Sequence, residues 1–192
     1  MKEKESGTKY QETKQHGSRL FPFNIYPCSI PVDFSHVALH WHEEMEIIAV
    51  KKGKGRITVD TVSYPVEEGD ILAVFPGQLH AISCGNGERM EYENIIFRLS
   101  MLMGDNGDGC TVHFLKPLQE GQAKNPVLIQ RNQPDHEVFG KVIQELDRFS
   151  EIRGNGYQLA VKGQLFLFLY YAYGRGILFT EKKPGHAREK IK

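Results

Sequence analysis

The sequence predicts a mainly β fold in which a barrel of short strands is followed by two α-helices. Before about residue 133, short apolar runs at 46–50, 56–59, 62–66, 71–75 and 90–99 alternate with turn signals at 52–55, 60–61, 68–70 and 85–87. Strands at this spacing indicate a barrel or a sandwich. Beyond that point the apolar residues recur at helical spacing, which places the helices after the barrel.

The first predicted helix covers residues 135–150. Val138, Val142, Leu146 and Phe149 recur on one helical face, and Pro134 with Asp135 supplies a start signal. The Gly-Asn-Gly segment at 154–156 ends this helix. We therefore expect a short connection to a second helix.

The second predicted helix covers residues 157–173 and is apolar on most of its faces. It is too short and too polar at its edges to span a bilayer, so it must bury two faces within protein. One face can pack on the barrel or on the first helix, and the other can meet a second copy of the chain. We assign a homodimer contact to this helix at Leu165, Phe166, Leu169 and Tyr173. A domain that covers both faces by itself is the alternative.

Length and composition indicate one domain with a substantial core, since the chain has 192 residues of which 40% are hydrophobic. The formal net charge is zero, which argues against a chain-wide nucleic-acid or membrane surface. Three unevenly spaced cysteines do not suggest a disulfide framework, so we expect a cytoplasmic protein. Residues 1–18 are polar, and we expect a disordered leader there.

Three histidines and one glutamate form the candidate site. His40 and His42 point to the same face of an extended strand, and Glu46 keeps that parity if the strand continues. His80 lies at least one hairpin downstream and can complete the group. This donor set suits a divalent transition metal such as zinc, nickel, iron or manganese.

A metal is not the only interpretation of these four residues. A single histidine on a barrel strand is more often a hydrogen-bonded core residue than a ligand. Glu46 favours a functional role, because a buried carboxylate must be paired, protonated or bound to a metal. The same side chains can instead line a metal-free effector pocket, so no cofactor is required.

These residues carry a family resemblance. The spacing His-x-His-x-x-x-Glu-x-x-x-x-x-x-Gly at 40–53, with Gly-Asp at 69–70 and Gly-x-x-His at 77–80, resembles the two motifs of the cupin family. Phe34 stands where the first motif usually opens with Gly, and Cys84 stands where the second usually closes with Asn. The resemblance implies a double-stranded β-helix barrel.

A cupin-like barrel followed by two antiparallel helices, with the segment GDILAVFPGQLH at 69–80, resembles the amino-terminal sensor domain of AraC-type transcription regulators. The resemblance implies an effector-binding barrel at 19–133 and a helical dimerisation segment at 134–176. Residues 177–192 resemble the linker to a DNA-reading helix-turn-helix module that this chain lacks. The effector would be a sugar or a similar small polar metabolite.

The resemblance therefore favours a cytoplasmic, non-enzymatic sensor that binds a small effector through His40, His42, Glu46 and His80. It forms a homodimer, contacts no membrane and reaches DNA only through the missing module. The alternative is a metal-dependent cupin enzyme, of the dioxygenase or sugar isomerase type, in which the metal polarises a substrate oxygen or binds dioxygen. We favour the sensor because the sequence names no general base beyond the four candidate ligands.

Overall fold

A computed structural model describes residues 10–105, 107–123 and 125–174. The predicted linker at 177–192 and the first nine residues of the predicted leader lie outside the described residues. The mainly β fold followed by helices is confirmed. Its strands are β1 Phe23–Ile30, β2 Val37–His40, β3 Met45–Val59, β4 Val62–Glu67, β5 Ile71–Val74, β6 His80–Ser83, β7 Met90–Phe97 and β8 Val127–Ile129.

The strands form two antiparallel sheets that share β3. One sheet has the order β1, β7, β3, β5, β8, and the other contains β2, β6, β3 and β4. The first part of β3 pairs with β5 and β7, whereas its last residues pair with β4 and β6. One strand thus joins both sheets and closes them around a common interior.

The bend in β3 corrects one prediction. The Gly-rich signal at 52–55 suggested a chain reversal, but the strand runs through it without turning back. The pairing with β7 is irregular between Val50 and Lys52, and Gly53 has a φ of 77°. A Cβ at Gly53 would collide with the carbonyl oxygen of Arg89, so glycine is needed where the strand bends.

Two apolar cores lie on opposite faces of the sheets. Ile48 and Val50 point into the barrel, whereas Ile47 and Ala49 point outward to the helices. Both faces of this part of β3 are therefore buried, which explains its unbroken apolar run.

The helices cover the outer core. They are α1 Lys116–Gln119, α2 His136–Ile152 and α3 Tyr157–Gly174, preceded by a 3-10 turn at Leu99–Met101 and a π-helical turn at Thr111–Leu115. The ring of Phe139, near the start of α2, contacts Phe168 and Tyr171 near the end of α3. The two long helices are thus antiparallel, and both predicted helices are confirmed within two residues at each end.

A charged link also joins the barrel to α2. The Lys51 Nζ atom lies 2.7 Å from a Glu93 carboxylate oxygen and 2.8 Å from Asp147 Oδ2 on α2.

In the described part of the chain, no helix has the length and apolar character needed to cross a membrane.

Candidate metal and effector site

The four candidate ligands converge from three strands and one loop. His40 ends β2 and pairs across the sheet with His80, the first residue of β6, while Glu46 lies near the start of β3. His42 lies in the connection between β2 and β3, so the expected continuous strand from 40 to 46 is interrupted. The ligand atoms of all four residues nevertheless lie within 4.8 Å of one another.

Glu46 is the centre of the cluster. Its Oε2 atom lies 3.0 Å from His42 Nε2 and 2.9 Å from His80 Nε2. The exposed fractions of His42, Glu46 and His80 are 3%, 2% and 0%, respectively. The ring centroids of His40 and His80 are 4.2 Å apart, so His40 lies beside His80, and it is the one partly exposed member of the four.

Backbone carbonyls fix the orientation of the three imidazoles. The Nδ1 atoms of His40, His42 and His80 lie 2.9, 3.1 and 2.9 Å from the carbonyl oxygens of Ala38, Glu44 and Gln78. Because a carbonyl can only accept, each Nδ1 carries a proton and donates it, and a hydrogen bond from the Nε2 atom of His42 or His80 to Glu46 requires a second proton on that ring. The Nε2 atoms therefore face the cluster, in the arrangement that outer partners impose on metal-binding histidines.

The electrostatics of the cluster favour an ionised Glu46. Burial alone would raise the pKa of Glu46, but the hydrogen bonds from His42 and His80 outweigh it and lower this pKa. Burial would likewise lower the pKa of His80, yet the hydrogen bond and charge of Glu46 raise it. Burial and the neighbouring His80 lower the pKa of His40. The ionised Glu46 carboxylate thus favours a proton or a metal cation next to the Nε2 atoms that face it.

The donor set fits a divalent cation. Ligand atoms bound at about 2.0–2.2 Å to one ion lie at most about 4.4 Å from each other, so the observed separations within 4.8 Å need only a small contraction. Without a proton or a cation, the Nε2 lone pairs of His42 and His80 would face an anionic oxygen. A bound metal would remove that repulsion and act as a Lewis acid toward an oxygen ligand.

Two residues from the predicted leader also reach the cluster. Gln11 forms a parallel bridge with Trp41, which brings the Glu12 carboxylate to 3.8 Å from His40 Nε2. The same carboxylate lies 3.7 Å from the Nε2 atom of His16, which is 2% exposed. Sequence reasoning missed both residues, since the polar composition of residues 10–18 gave no sign of burial.

A cavity of about 460 Å³ adjoins the cluster on the side of His40 and Glu46. It is lined by Tyr26, Cys28, Tyr92 and Asn94 of β1 and β7, and by parts of the segment 12–16. A larger crevice of about 730 Å³ lies between the sheet and the helices, but none of the four candidate ligands lines it. Of these two cavities, the smaller one adjoins the candidate ligands.

Glu44 and Arg98 support the cluster from outside. The Glu44 carboxylate accepts a hydrogen bond of 2.8 Å from Arg98 Nε, and its backbone carbonyl accepts from His42. The ion pair thus fixes the loop that carries His42.

The predicted dimerisation residues divide between two environments. Leu165 and Leu169 are 0% and 4% exposed and pack in the core between α3, α2 and the sheet. Phe166 is 38% exposed, and Tyr173 is half-buried with its hydroxyl donating to the Phe114 carbonyl oxygen. The exposed apolar residues of α3 are Leu159, Phe166, Leu167 and Tyr170.

The barrel and its histidine-glutamate cluster define the chain as a cupin-type protein. It belongs to the AraC-like ligand binding domain family, whose model matches residues 31–169. No curated protein matches the chain.

Solved cupin structures resemble the barrel. A cupin 2 conserved barrel protein from Salinispora arenicola is 23% identical with a TM-score of 0.37, over 42% of this chain and 66% of that one. A cupin from Bacteroides fragilis is 26% identical with a TM-score of 0.33, over 46% of this chain and 74% of that one. The Bacillus subtilis oxalate decarboxylase, which has Mn(II) centres, is 25% identical with a TM-score of 0.30, over 33% and 18%. The chain thus spans just under two thirds of the first of these proteins.

Proposed function

We propose that this ligand-binding domain senses a small polar metabolite such as a sugar and passes its occupancy, as a homodimer, to a separate DNA-reading module of a transcription regulator. The observation that carries the proposal is the cavity, with polar side chains in its wall, beside the largely buried cluster of His40, His42, Glu46 and His80. Its volume of about 460 Å³ lies within the usual range of about 300–1,000 Å³ for small-ligand sites.

A divalent transition metal in the cluster is part of the proposal. The inward Nε2 atoms, the ionised Glu46 and the carbonyl-held Nδ1 atoms all favour it. The metal would polarise an effector oxygen at the cavity wall. The role is binding and not catalysis, so turnover of the effector would contradict the proposal.

The homodimer rests on the outer face of α3. Leu159 and Tyr170 are 76% and 68% exposed, and Phe166 and Leu167 lie on the same side. An apolar stripe of this kind is a typical protein contact. We also propose a cytoplasmic location, for which the free thiols of Cys28, Cys84 and Cys110 are the support.

Calorimetric titration of the purified chain with a panel of sugars tests the proposal. We expect one or a few neutral sugars to bind, and the double variant Glu46→Ala with His80→Ala to lose this binding while circular dichroism shows a folded barrel. Equal affinity in the double variant would contradict a site at this cluster.

A further inference from the structure

A short segment that precedes the barrel, residues 10–16, lies beside the histidine-glutamate cluster. Its backbone pairs with that of Trp41 through two hydrogen bonds of 2.9 Å, one of which is donated by the Glu12 amide. His16 fixes the other end of the segment, because its Nδ1 atom lies 3.2 Å from the Tyr26 hydroxyl on β1. The segment is thus attached to the barrel at both ends.

The pairing directs the Glu12 side chain toward the candidate ligands. Gln11 lies opposite Trp41 in a parallel bridge, so Glu12 is the next residue in register and corresponds to His42. Successive side chains of an extended segment alternate between two faces, and paired residues share a face. Glu12 therefore points to the side of His42, and its carboxylate lies 3.8 Å from His40 Nε2.

The Glu12 carboxylate is placed to act as a further metal ligand. It lies 3.7 Å from His16 Nε2 and 3.8 Å from His40 Nε2, and both distances are too long for a hydrogen bond. Two atoms that bind one ion at about 2.0–2.2 Å lie at most about 4.4 Å apart, so Glu12 and His40 can share an ion. Glu12 also lines the same cavity as His40 and Glu46, and its side chain is 29% exposed, which leaves it room to move toward the ion.

A fifth donor changes which ions fit the cluster. Three imidazoles and the Glu46 carboxylate already complete a four-coordinate zinc site. A second carboxylate suits ions that take six ligands and prefer oxygen donors, such as Mn²⁺, and it leaves one position for water or an effector oxygen. The two carboxylates together also balance the charge of a divalent ion.

We propose that Glu12 is a fifth metal ligand, which raises the affinity of the cluster for six-coordinate divalent ions relative to zinc and ties residues 10–16 to the barrel when the metal is bound. This inference rests on the proposed metal site and adds to it a ligand from outside the barrel strands.

Calorimetry of the metal-free protein with Mn²⁺ and with Zn²⁺ tests the ligand role, using the wild type, Glu12→Gln and the control Glu43→Gln. Glu43 is a matched control, because its side chain is 64% exposed and it is not one of the clustered ligands. We expect Glu12→Gln to bind Mn²⁺ at least about 10-fold more weakly, the lower end of the effect for residues that support a metal site. Zinc affinity should fall much less, and the control should match the wild type for both ions.

Hydrogen exchange of the backbone amides of Glu12 and Trp41 tests the link to the segment, since both amides donate to the hydrogen bonds that pair it. Mn²⁺ should slow their exchange in the wild type and in the control, but not in Glu12→Gln. Circular dichroism should show that all three proteins are folded.

The outcomes separate this inference from the proposed metal site. Unchanged Mn²⁺ affinity in Glu12→Gln, together with a loss in Glu46→Gln, would overturn the inference alone. An equal loss of affinity for both ions in Glu12→Gln would also overturn it, because Glu12 would then act only through its charge. A wild type that binds neither ion would overturn the proposed metal site together with this inference.

Discussion

At the scale of single residues, the proposed metal site depends most on Glu46. It is the one carboxylate among the four candidate ligands, and it contacts both His42 and His80. Glu46→Gln keeps the size of the side chain and removes its charge. We expect metal affinity to fall by more than about 10- to 100-fold, the cost of losing even an outer partner of a metal ligand.

Metal analysis after dialysis, with calorimetry of the metal-free protein, measures this effect. Glu43→Gln is the matched control, because the Glu43 side chain is 64% exposed and next to the cluster in sequence. Wild-type metal content in the Glu46 variant would refute Glu46 as a ligand.

Gly53 shows how one residue controls the path of a strand. A methyl group at Gly53 collides with the Arg89 carbonyl, whereas Gly87 has a similar positive φ of 78° and open space around it. Gly87→Ala should lower the free energy of unfolding by about 1–2 kcal/mol, because alanine is strained in this backbone conformation. Gly53→Ala should cost about 1–3 kcal/mol more, because the clash adds to the same strain.

Urea denaturation of the two alanine variants measures both free energies of unfolding. Equal losses in the two variants would mean that β3 moves away from Arg89 without cost.

At the scale of elements, α3 has one face in the core and one face exposed. The variants Leu159→Lys and Tyr170→Lys should give folded monomers, since Leu159 and Tyr170 are the most exposed apolar residues of this helix. Leu165→Lys should instead unfold the chain, because the new ammonium group would be buried without a partner. Light scattering with circular dichroism distinguishes the two results.

The wild type is the reference for this comparison. If it remains monomeric at high micromolar concentration, the dimer is refuted, and the exposed stripe of α3 needs another explanation.

At the scale of the whole molecule, metal binding should stabilise the fold, because the four ligands come from β2, the following loop, β3 and β6. A ligand at 100 times its Kd adds about 2.7 kcal/mol to the free energy of unfolding. For a domain of this size that corresponds to an increase in Tm of about 5–10 °C.

Thermal melts of chelator-treated protein with added zinc, nickel, iron or manganese test this prediction. The Glu46→Gln variant should show a clearly smaller increase at the same metal concentration, and an equal increase in that variant would mean that the ion stabilises another part of the chain.

Charge determines a second property of the whole molecule. With 24 basic and 24 acidic residues, the chain has no net positive charge to neutralise phosphates. We expect the 192-residue chain alone not to retard the DNA upstream of its own gene at physiological salt in a mobility-shift assay. Sequence-dependent retardation by this chain would refute the assignment of DNA binding to a separate module.

Local patterns in the sequence were sufficient for several features. The helical spacing in α2, the continuous apolar segment of α3 and the apolar runs of β4, β5 and β7 depend on neighbouring residues, so these elements could be predicted closely. The motif spacing likewise identified His40, His42, Glu46 and His80, which the fold brings within 4.8 Å. Four strands with weaker local patterns were not predicted. They are β1, which contains Pro27, and β2, β6 and β8, which have only four, four and three residues.

Other features required the tertiary structure, because they depend on contacts between distant parts of the chain. The sequence alone predicts the β-barrel and the two helices, since strand and helix patterns repeat within a few residues, and motif spacing predicts the four candidate ligands. Closing the barrel through the bend in β3 decides that Tyr92 and Asn94 face the cavity. Packing decides that Leu165 and Leu169 belong to the core, and the bridge from Gln11 to Trp41 brings Glu12 to the cluster. No local periodicity encodes such contacts, because each arises only when separate segments compete for the same interior surface.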